Sequence, residues 1–460
     1  MLRLYDTLVG EVVDFVPREK GKVSMYVCGP TVYDHPHLGH ARSALTFDIV
    51  RRYLVWSGYE VTFAMNVTDI DDNIIKRASE RGSTEPEIAK TYEAIYFEQM
   101  GRLGVMPADH RPHATEYVDQ MNALIAEILD AGRAYVVEGS GVYFDVESYA
   151  DGYGFLPHRT LDQLRESAGA RVEVDDDKRS PLDFVLWKAA KPGEPTWDSP
   201  YGPGRPGWHI ECAAMSLDLL GERFDIHGGG KDLKFPHHEN ERVEAEAAGH
   251  PFARYWMHNG FVMIDDEKMS KSLGNSVTLQ EGLEEYDPRS IRMAVLQTHY
   301  RSDMDMGRSE MASAQEAVTR LDALMRRARI AGVEPGAADD GVASRFRAAM
   351  DDDFNTPEAM AAVFDAVRRA NSAIDAGDLA TAARLVGAVA ELTGAVGLSI
   401  GGDRDAPDGE GDAEIDVLVA KRDEARQAKD FATADRIRDD LAARGVVIED
   451  TPDGATWYRA

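Results

Sequence analysis

An apolar run from Val23 to Val27 stops abruptly at Cys28-Gly-Pro30, and after a short polar stretch a long helical pattern begins at His40. Met25, Tyr26 and Val27 have the bulk of a buried strand, which Gly29 and Pro30 terminate. The helical spacing buries Ala44, Leu45, Phe47, Val50, Tyr53 and Leu54 and ends at Gly58. Val61, Phe63 and Met65 then alternate as a second strand. Strand, helix and strand in that order make a βαβ unit, so the chain is of α/β class. His37 and His40 fall at the amino end of the helix, where free backbone N–H groups and the helix dipole favour an anion. Gly39 between them lets a ligand approach the backbone closely. By itself a His-x-x-His pattern is more often two surface histidines, and the spacing does not decide between these readings.

A second signal lies far downstream. Lys268-Met-Ser-Lys-Ser272 follows the apolar run Phe261 to Ile264, which sets two ammonium groups on a short loop after a strand, as binding a triphosphate requires. The pair of motifs resembles the signature of class I aminoacyl-tRNA synthetases, whose HIGH motif stands here as His37-Leu-Gly-His40 and whose KMSKS motif is unaltered. Five further stretches narrow the resemblance to the cysteinyl-tRNA synthetase family. They are Cys28-Gly-Pro-Thr-Val-Tyr33, Asn66-Val-Thr-Asp-Ile-Asp-Asp72, Gly207-Trp-His-Ile-Glu-Cys-Ala-Ala-Met215, Asp225-Ile-His-Gly-Gly-Gly230 and Phe235-Pro-His-His-Glu-Asn-Glu241. Nearly the whole chain is covered.

The resemblance implies a Rossmann-like catalytic domain split by a connective insertion, followed by an all-α bundle and a small carboxyl-terminal module. The expected boundaries are residues 1–131 and 205–275 for the two catalytic halves, 132–204 for the insertion and 276–398 for the tRNA-binding bundle. Residues 399–414 read as a Gly/Asp-rich linker and 415–460 as the anticodon-binding module. At 460 residues the chain is too long for one compact domain, in keeping with several units. It carries no run of about eighteen apolar residues and no signal-peptide pattern, so a cytoplasmic protein without membrane contact is expected. The formal net charge of −30 opposes RNA binding over most of the surface, so a tRNA partner must meet local basic patches. The segment 415–460, with 8 Lys and Arg against 10 Asp and Glu, is mild by comparison.

Two cysteines exclude a disulfide framework and leave a single Cys28–Cys212 bridge or joint ligation as alternatives, with ligation favoured in a reducing compartment. His237 and Glu241 are four apart in a predicted helix and share a face, although such a pair alone is more often a surface ion pair than a metal site. On the same spacing His238, the competing ligand, should point away from Glu241. The resemblance assigns Cys28, Cys212, His237 and Glu241 to one zinc ion. It also implies Mg2+ with ATP, L-cysteine and tRNA(Cys) as substrates, and His37, His40, Lys268 and Lys271 as the catalytic groups. Gly39, Gly229 and Asp232 are implied to help bind ATP, and Thr68 and Trp208 to wall the amino-acid pocket. A zinc that accepts a substrate thiolate distinguishes cysteine from serine, so no editing domain is expected.

Three features stand apart. The acidic run Asp69, Asp71 and Asp72 reads equally as helix capping or as a substrate contact, and Asn73 replaces the Lys that usually follows in the family. Gly228 to Gly230 read as a turn after a strand, against which a base or ribose could press. Lys231 stands where relatives usually carry a small or apolar residue. The nearest rival activity is the related ligase joining cysteine to a glucosaminyl-inositol in mycothiol biosynthesis, against which the module from Ile415 onward argues. A non-catalytic tRNA-binding relative is the other.

Overall fold

The computed structural model describes residues 1–169, 177–264, 267–268, 277–401, 410–451 and 454–459. Two compact units emerge, Met1–Leu398 and Ser399–Ala460. At the heart of the first is a parallel four-stranded sheet in the order Tyr255–Asn259, Ile226–Gly230, Lys22–Val27, Glu60–Met65. Lys22–Val27 and Glu60–Met65 are joined by the helix Leu38–Trp56, as the sequence pattern requires. Because the chain leaves Lys22–Val27 in one direction and later adds Ile226–Gly230 on its other side, the strand order switches beside Lys22–Val27. The crevice beyond the carboxyl ends at such a point is where α/β sheets bind ligands.

The intervening segment builds its own antiparallel sheet from Ala134–Val137, Gly141–Phe144, Phe184–Ala189 and Gly204–Pro206. Local periodicity does not foretell the last two strands or the helix Leu161–Gly169. Phe144 and Phe184 stack at 4.9 Å, and this layer packs into one core with Tyr26, Ile125, Met215, Phe224 and Trp256. The inserted segment is thereby welded to the parallel sheet by burial of large apolar side chains. Its edge is further tied by Asp72, which receives Lys188 Nζ at 2.5 Å and pairs with the buried Arg205. The acidic run is structural in this fold: Asp71 caps the helix Asp72–Arg81, and Asp69 accepts from the Thr115 hydroxyl at 2.6 Å.

The helices Pro288–Leu296, Arg308–Ile330, Asp340–Met350, Thr356–Asp375 and Leu379–Gly394 complete the first unit. In the second unit the helices Glu410–Gln427 and Phe431–Ala443 enclose Ile415, Val419 and Leu441 under the hairpin Val446–Thr451 and Gly454–Arg459. The first of these helices begins inside the stretch expected to be linker. Of that stretch, residues 402–409 lie outside the described residues, as do Pro452 and Asp453 of the hairpin turn. Among the described residues no helix is long and apolar enough to cross a membrane.

One peripheral ion cluster makes stability depend on pH. His250 lies 2.9 Å from Glu222 and 2.8 Å from Glu127, and these carboxylates, Glu222 first, raise its pKa above the ordinary value. A raised folded-state pKa means stabilisation that is complete below the unfolded value of about 6.5 and is lost as pH rises through the folded value. His250→Ala is therefore expected to cost up to about 1 kcal/mol in urea unfolding at about pH 6 and almost nothing at about pH 9. An equal cost at both values would contradict the assignment.

Candidate active site and metal centre

Cys28 is the first residue after the strand Lys22–Val27, and its backbone N–H still donates to Gly228 of the neighbouring strand at 3.2 Å. The next residue explains why the chain turns where it does. A Cβ on Gly29 would overlap the Asn66 carbonyl oxygen, and the Gly29 N–H donates to the Asn66 side chain at 2.8 Å, so only glycine lets the two strand ends close together. Cys212 arrives from the helix Trp208–Leu220, and His237 and Glu241 from the turn Lys234–His238 and the helix Glu239–Ala247.

These four side chains converge. The two sulfurs are 3.7 Å apart, Cys28 Sγ is 3.4 Å from Glu241 Oε1, and His237 Nε2 is 3.0 Å from the same oxygen. An S–S bond needs about 2.0 Å, so the cysteines are not bridged. Bond lengths of about 2.0–2.3 Å around a tetrahedral zinc place its donors about 3.3–3.8 Å from one another. The Cys28–Cys212 and Cys28–Glu241 separations fall in that range, His237–Glu241 is slightly closer, and the donor atoms of all four residues lie within 4.8 Å of one another, near enough to share one ion. Burial pushes the Cys212 thiol up to about 11 and the Cys28 thiol well above its ordinary value, so without a cation this cluster holds two desolvated neutral thiols.

A second set competes on distance alone: Cys28 and Glu241 with His227 and His238. His227 Nε2 is 2.7 Å from Glu241 Oε2, and His238 Nε2 is 4.0 Å from Oε1. His238 therefore does not point away from Glu241, contrary to the helical-spacing argument. Residues Lys234–His238 form a π-turn with Phe235 extended, and the angular step of an α-helix does not apply there. The donor chemistry favours the set with both thiols, since soft sulfur ligands suit zinc and the other set would leave Cys212 unused.

Behind the cluster lies a histidine net that the sequence reading missed. His237 Nδ1 meets His209 Nδ1 at 2.9 Å, leaving Nε2 for Glu241. His238 Nδ1 meets His258 Nε2 at 2.9 Å, and His258 Nδ1 meets the Thr7 hydroxyl at 2.8 Å. Burial lowers His209 and His258 to about 3 and His237 and His238 well below the ordinary value, so the rings are neutral donors and acceptors. Such contacts fix tautomers and ring orientation around a metal. His227 and His258 were hidden because they occupy inward positions of strands, where only the register beside Gly229 and Trp256 reveals their neighbours. Glu244 is fully buried with neither carboxyl oxygen partnered among the described residues. Burial, then Glu241 and Glu211, raise its pKa and keep it neutral.

Trp208, 37% exposed, stacks on the His237 ring at 4.0 Å and forms an accessible wall beside the cluster. Thr68 is buried and donates to Glu211 at 2.9 Å, so its hydroxyl orients a second buried carboxyl. The glycines Gly228 to Gly230 do not form the expected turn, because hydrogen bonding continues through all three as part of the strand. Their lack of side chains serves packing: a Cβ on Gly228 would strike Phe47, and one on Gly229 would strike His238. Asp232 follows on the surface beyond the strand end.

At the start of the helix Leu38–Trp56, His37 is the N-cap. Its Nδ1 accepts from the Gly39 N–H at 3.1 Å, and His40 Nδ1 accepts from the His37 N–H at 3.1 Å. Since both Nδ1 atoms are acceptors, each Nε2 carries a proton and is a donor. The rings stack at 3.9 Å, which makes a paired donor edge at a helix amino end. Lys268 lies in the short strand Glu267–Lys268, paired antiparallel with Val262–Ile264, while Lys271 lies outside the described residues.

Comparison with known proteins matches three segments of the chain. Residues 14–316 match the family described as tRNA synthetases class I (C) catalytic domain, residues 345–400 a DALR domain, and residues 408–458 a cysteinyl-tRNA ligase anticodon binding domain. Proteins named Cysteine--tRNA ligase from Alkalilimnicola ehrlichii and Halorhodospira halophila are each 50% identical, with all of both chains covered. The fold is similar to that of Mycobacterium tuberculosis methionyl-tRNA synthetase, with a TM-score of 0.59, 15% identity, and 82% of this chain and 89% of that one covered. It is also similar to LeuRS of Agrobacterium radiobacter K84, with a TM-score of 0.63, 11% identity, and 84% and 85% covered.

Proposed function

Since the chain belongs to the cysteinyl-tRNA synthetase family, and so activates cysteine with ATP and charges tRNA with it, we propose that its selectivity rests on zinc held by Cys28, Cys212, His237 and Glu241. The observation that carries this reading is the convergence of two sulfurs, an imidazole and a carboxylate within 4.8 Å of one another. Bound there, zinc supplies a soft Lewis acid for which a substrate thiolate is a far better ligand than the hydroxyl of serine.

The chain's own groups do the rest. The cysteine carboxylate attacks the α-phosphorus of ATP in line, forming the cysteinyl adenylate and releasing pyrophosphate, and a tRNA 3'-terminal ribose hydroxyl then attacks the aminoacyl carbonyl, forming the ester and releasing AMP. Such a reaction is accelerated mainly by positioning and charge neutralisation. His37 and His40 donate from Nε2 to the phosphates, beside the backbone of Gly39, and Lys268 and Lys271 neutralise the departing pyrophosphate together with Mg2+. Gly229 and Asp232 border the nucleoside, while Trp208 and the Thr68–Glu211 pair wall the amino-acid side. The catalytic work is assigned to residues 1–131 and 205–275, acceptor-end reception to 132–204, and tRNA binding to 276–398 and 415–460. ATP and tRNA as substrates favour a cytoplasmic location.

The test is cysteine-dependent ATP–pyrophosphate exchange, run beside zinc analysis and followed by transfer to tRNA or to glucosaminyl-inositol. Exchange with about one zinc per chain and transfer to tRNA is the expected result. Absence of exchange in metal-loaded protein, or transfer to the sugar alone, would overturn it.

A further inference from the structure

The described residues on either side of the second signature are both tied to the helix whose start carries the first. On one side the tie is backbone: Leu279 N–H donates to Pro36 at 2.8 Å, and His37 bridges Thr278. On the other side it is one side chain. Arg42, only 1% exposed and half a turn beyond His40, donates from Nη1 to the Phe261 carbonyl at 2.8 Å. Its Nη2 donates to the Tyr300 carbonyl at 3.1 Å and to the Ser302 carbonyl. Phe261 immediately precedes Val262–Ile264, the strand that pairs with Met304–Asp305 on one edge and with Glu267–Lys268 on the other. A guanidinium buried among three carbonyls from two segments is rigid, since leaving any of them costs an unsatisfied polar group.

A second clamp acts on the same point. Lys231, at the end of the strand Ile226–Gly230, binds Asp303, with Nζ 2.6 Å from Oδ2, and lies 4.3 Å over the Phe261 ring. Asp303 in turn accepts from the Phe261 N–H at 2.7 Å. Phe261 is thus held at its carbonyl by Arg42, at its amide by Asp303 and on its ring by Lys231.

We propose that Arg42 and the Lys231–Asp303 pair are positioning residues for the activation step, holding Val262–Ile264, and with it the backbone of Lys268, in register with the His37–His40 cap. Phosphate-binding groups from the two signatures act on one triphosphate, and an error of about 1 Å in their separation can cost a hundredfold in rate. Transfer of the aminoacyl group from a finished adenylate no longer needs the pyrophosphate-side groups, so it is insensitive to this register. The inference rests on the function proposed above.

Arg42→Lys keeps the charge and loses the fork. It is expected to lower kcat of cysteine-dependent exchange by about a hundredfold, with the KM for cysteine and single-turnover transfer from preformed cysteinyl adenylate unchanged. Lys231→Ser and Asp303→Asn, both at partly exposed positions, are each expected to lower exchange about three- to tenfold, the double variant falling no further than the weaker single. Wild-type exchange rates in these variants, an additive double variant, or equal losses in exchange and transfer would overturn the proposal. If Arg42→Lys does not fold, the Lys231 and Asp303 variants decide the matter by the same readouts. A wild-type protein without exchange refutes the function itself, whereas normal exchange in wild type and variants alike refutes only this inference.

Discussion

Cys212→Ser is expected to lower bound zinc from about one per chain to a small fraction, and to lower cysteine-dependent exchange at least about a hundredfold. The oxygen that replaces Sγ sits in the same buried place on the helix Trp208–Leu220, so the change removes a soft ligand and little else. Preference for cysteine over serine should fall toward about a hundredfold or less, the range left to a pocket that discriminates an isostere by shape. Metal analysis by mass spectrometry and exchange with each amino acid give independent readouts. A variant that retains stoichiometric zinc or its selectivity would exclude Cys212 from the centre. Cys28→Ser should behave alike, because its sulfur is 3.4 Å from Glu241 as well as 3.7 Å from Cys212.

The second large effect concerns stability. Asp48, in the helix Leu38–Trp56, is 2.6 Å from Arg292 of the helix Pro288–Leu296, and the two side chains are 1% and 2% exposed. Arg292 also donates to the carbonyls of Leu103 and Val396, so this ion pair joins the catalytic helix to the bundle within the first unit. Asp48→Ala leaves a guanidinium buried without its counter-ion and is expected to cost about 3–5 kcal/mol in urea unfolding. Arg292→Met should cost less, because Asp48 keeps Arg52 at 2.8 Å and the Met106 N–H at 2.9 Å. A loss below about 1 kcal/mol for Asp48→Ala would show that the pair is solvated in the folded protein, and equal costs would show that Arg52 and Met106 do not compensate Asp48.

Much of the scaffold was readable in advance because it rests on local periodicity. The βαβ unit from Val23 to Met65 needs only the alternation and spacing of its apolar residues, and Gly29-Pro30 marks its turn. Small and polar residues blur the period of the helices Asp340–Met350 and Leu379–Gly394, and the apolar Phe184–Ala189 follows a charged stretch with no alternation to mark it as a strand. Cys28 and Cys212 stood out by scarcity, and His237 with Glu241 by spacing. Scarcity and spacing said nothing of His209, His227, His258 or Thr7, which reach the site from separate strands, a helix and the amino-terminal turn.

The amino-acid order by itself determined that an apolar strand ends at Cys28, that a helix opens at His37 and His40, and that both cysteines lie beside ligand-like motifs. Tertiary structure decided which way His238 faces, that Gly228 to Gly230 are strand rather than turn, and that Arg42 and Lys231 meet at Phe261. The division has a physical cause. Strand and helix periodicity is set by backbone geometry over a few residues, whereas ligand distances and ion pairs depend on strand order and register, which join residues hundreds of positions apart.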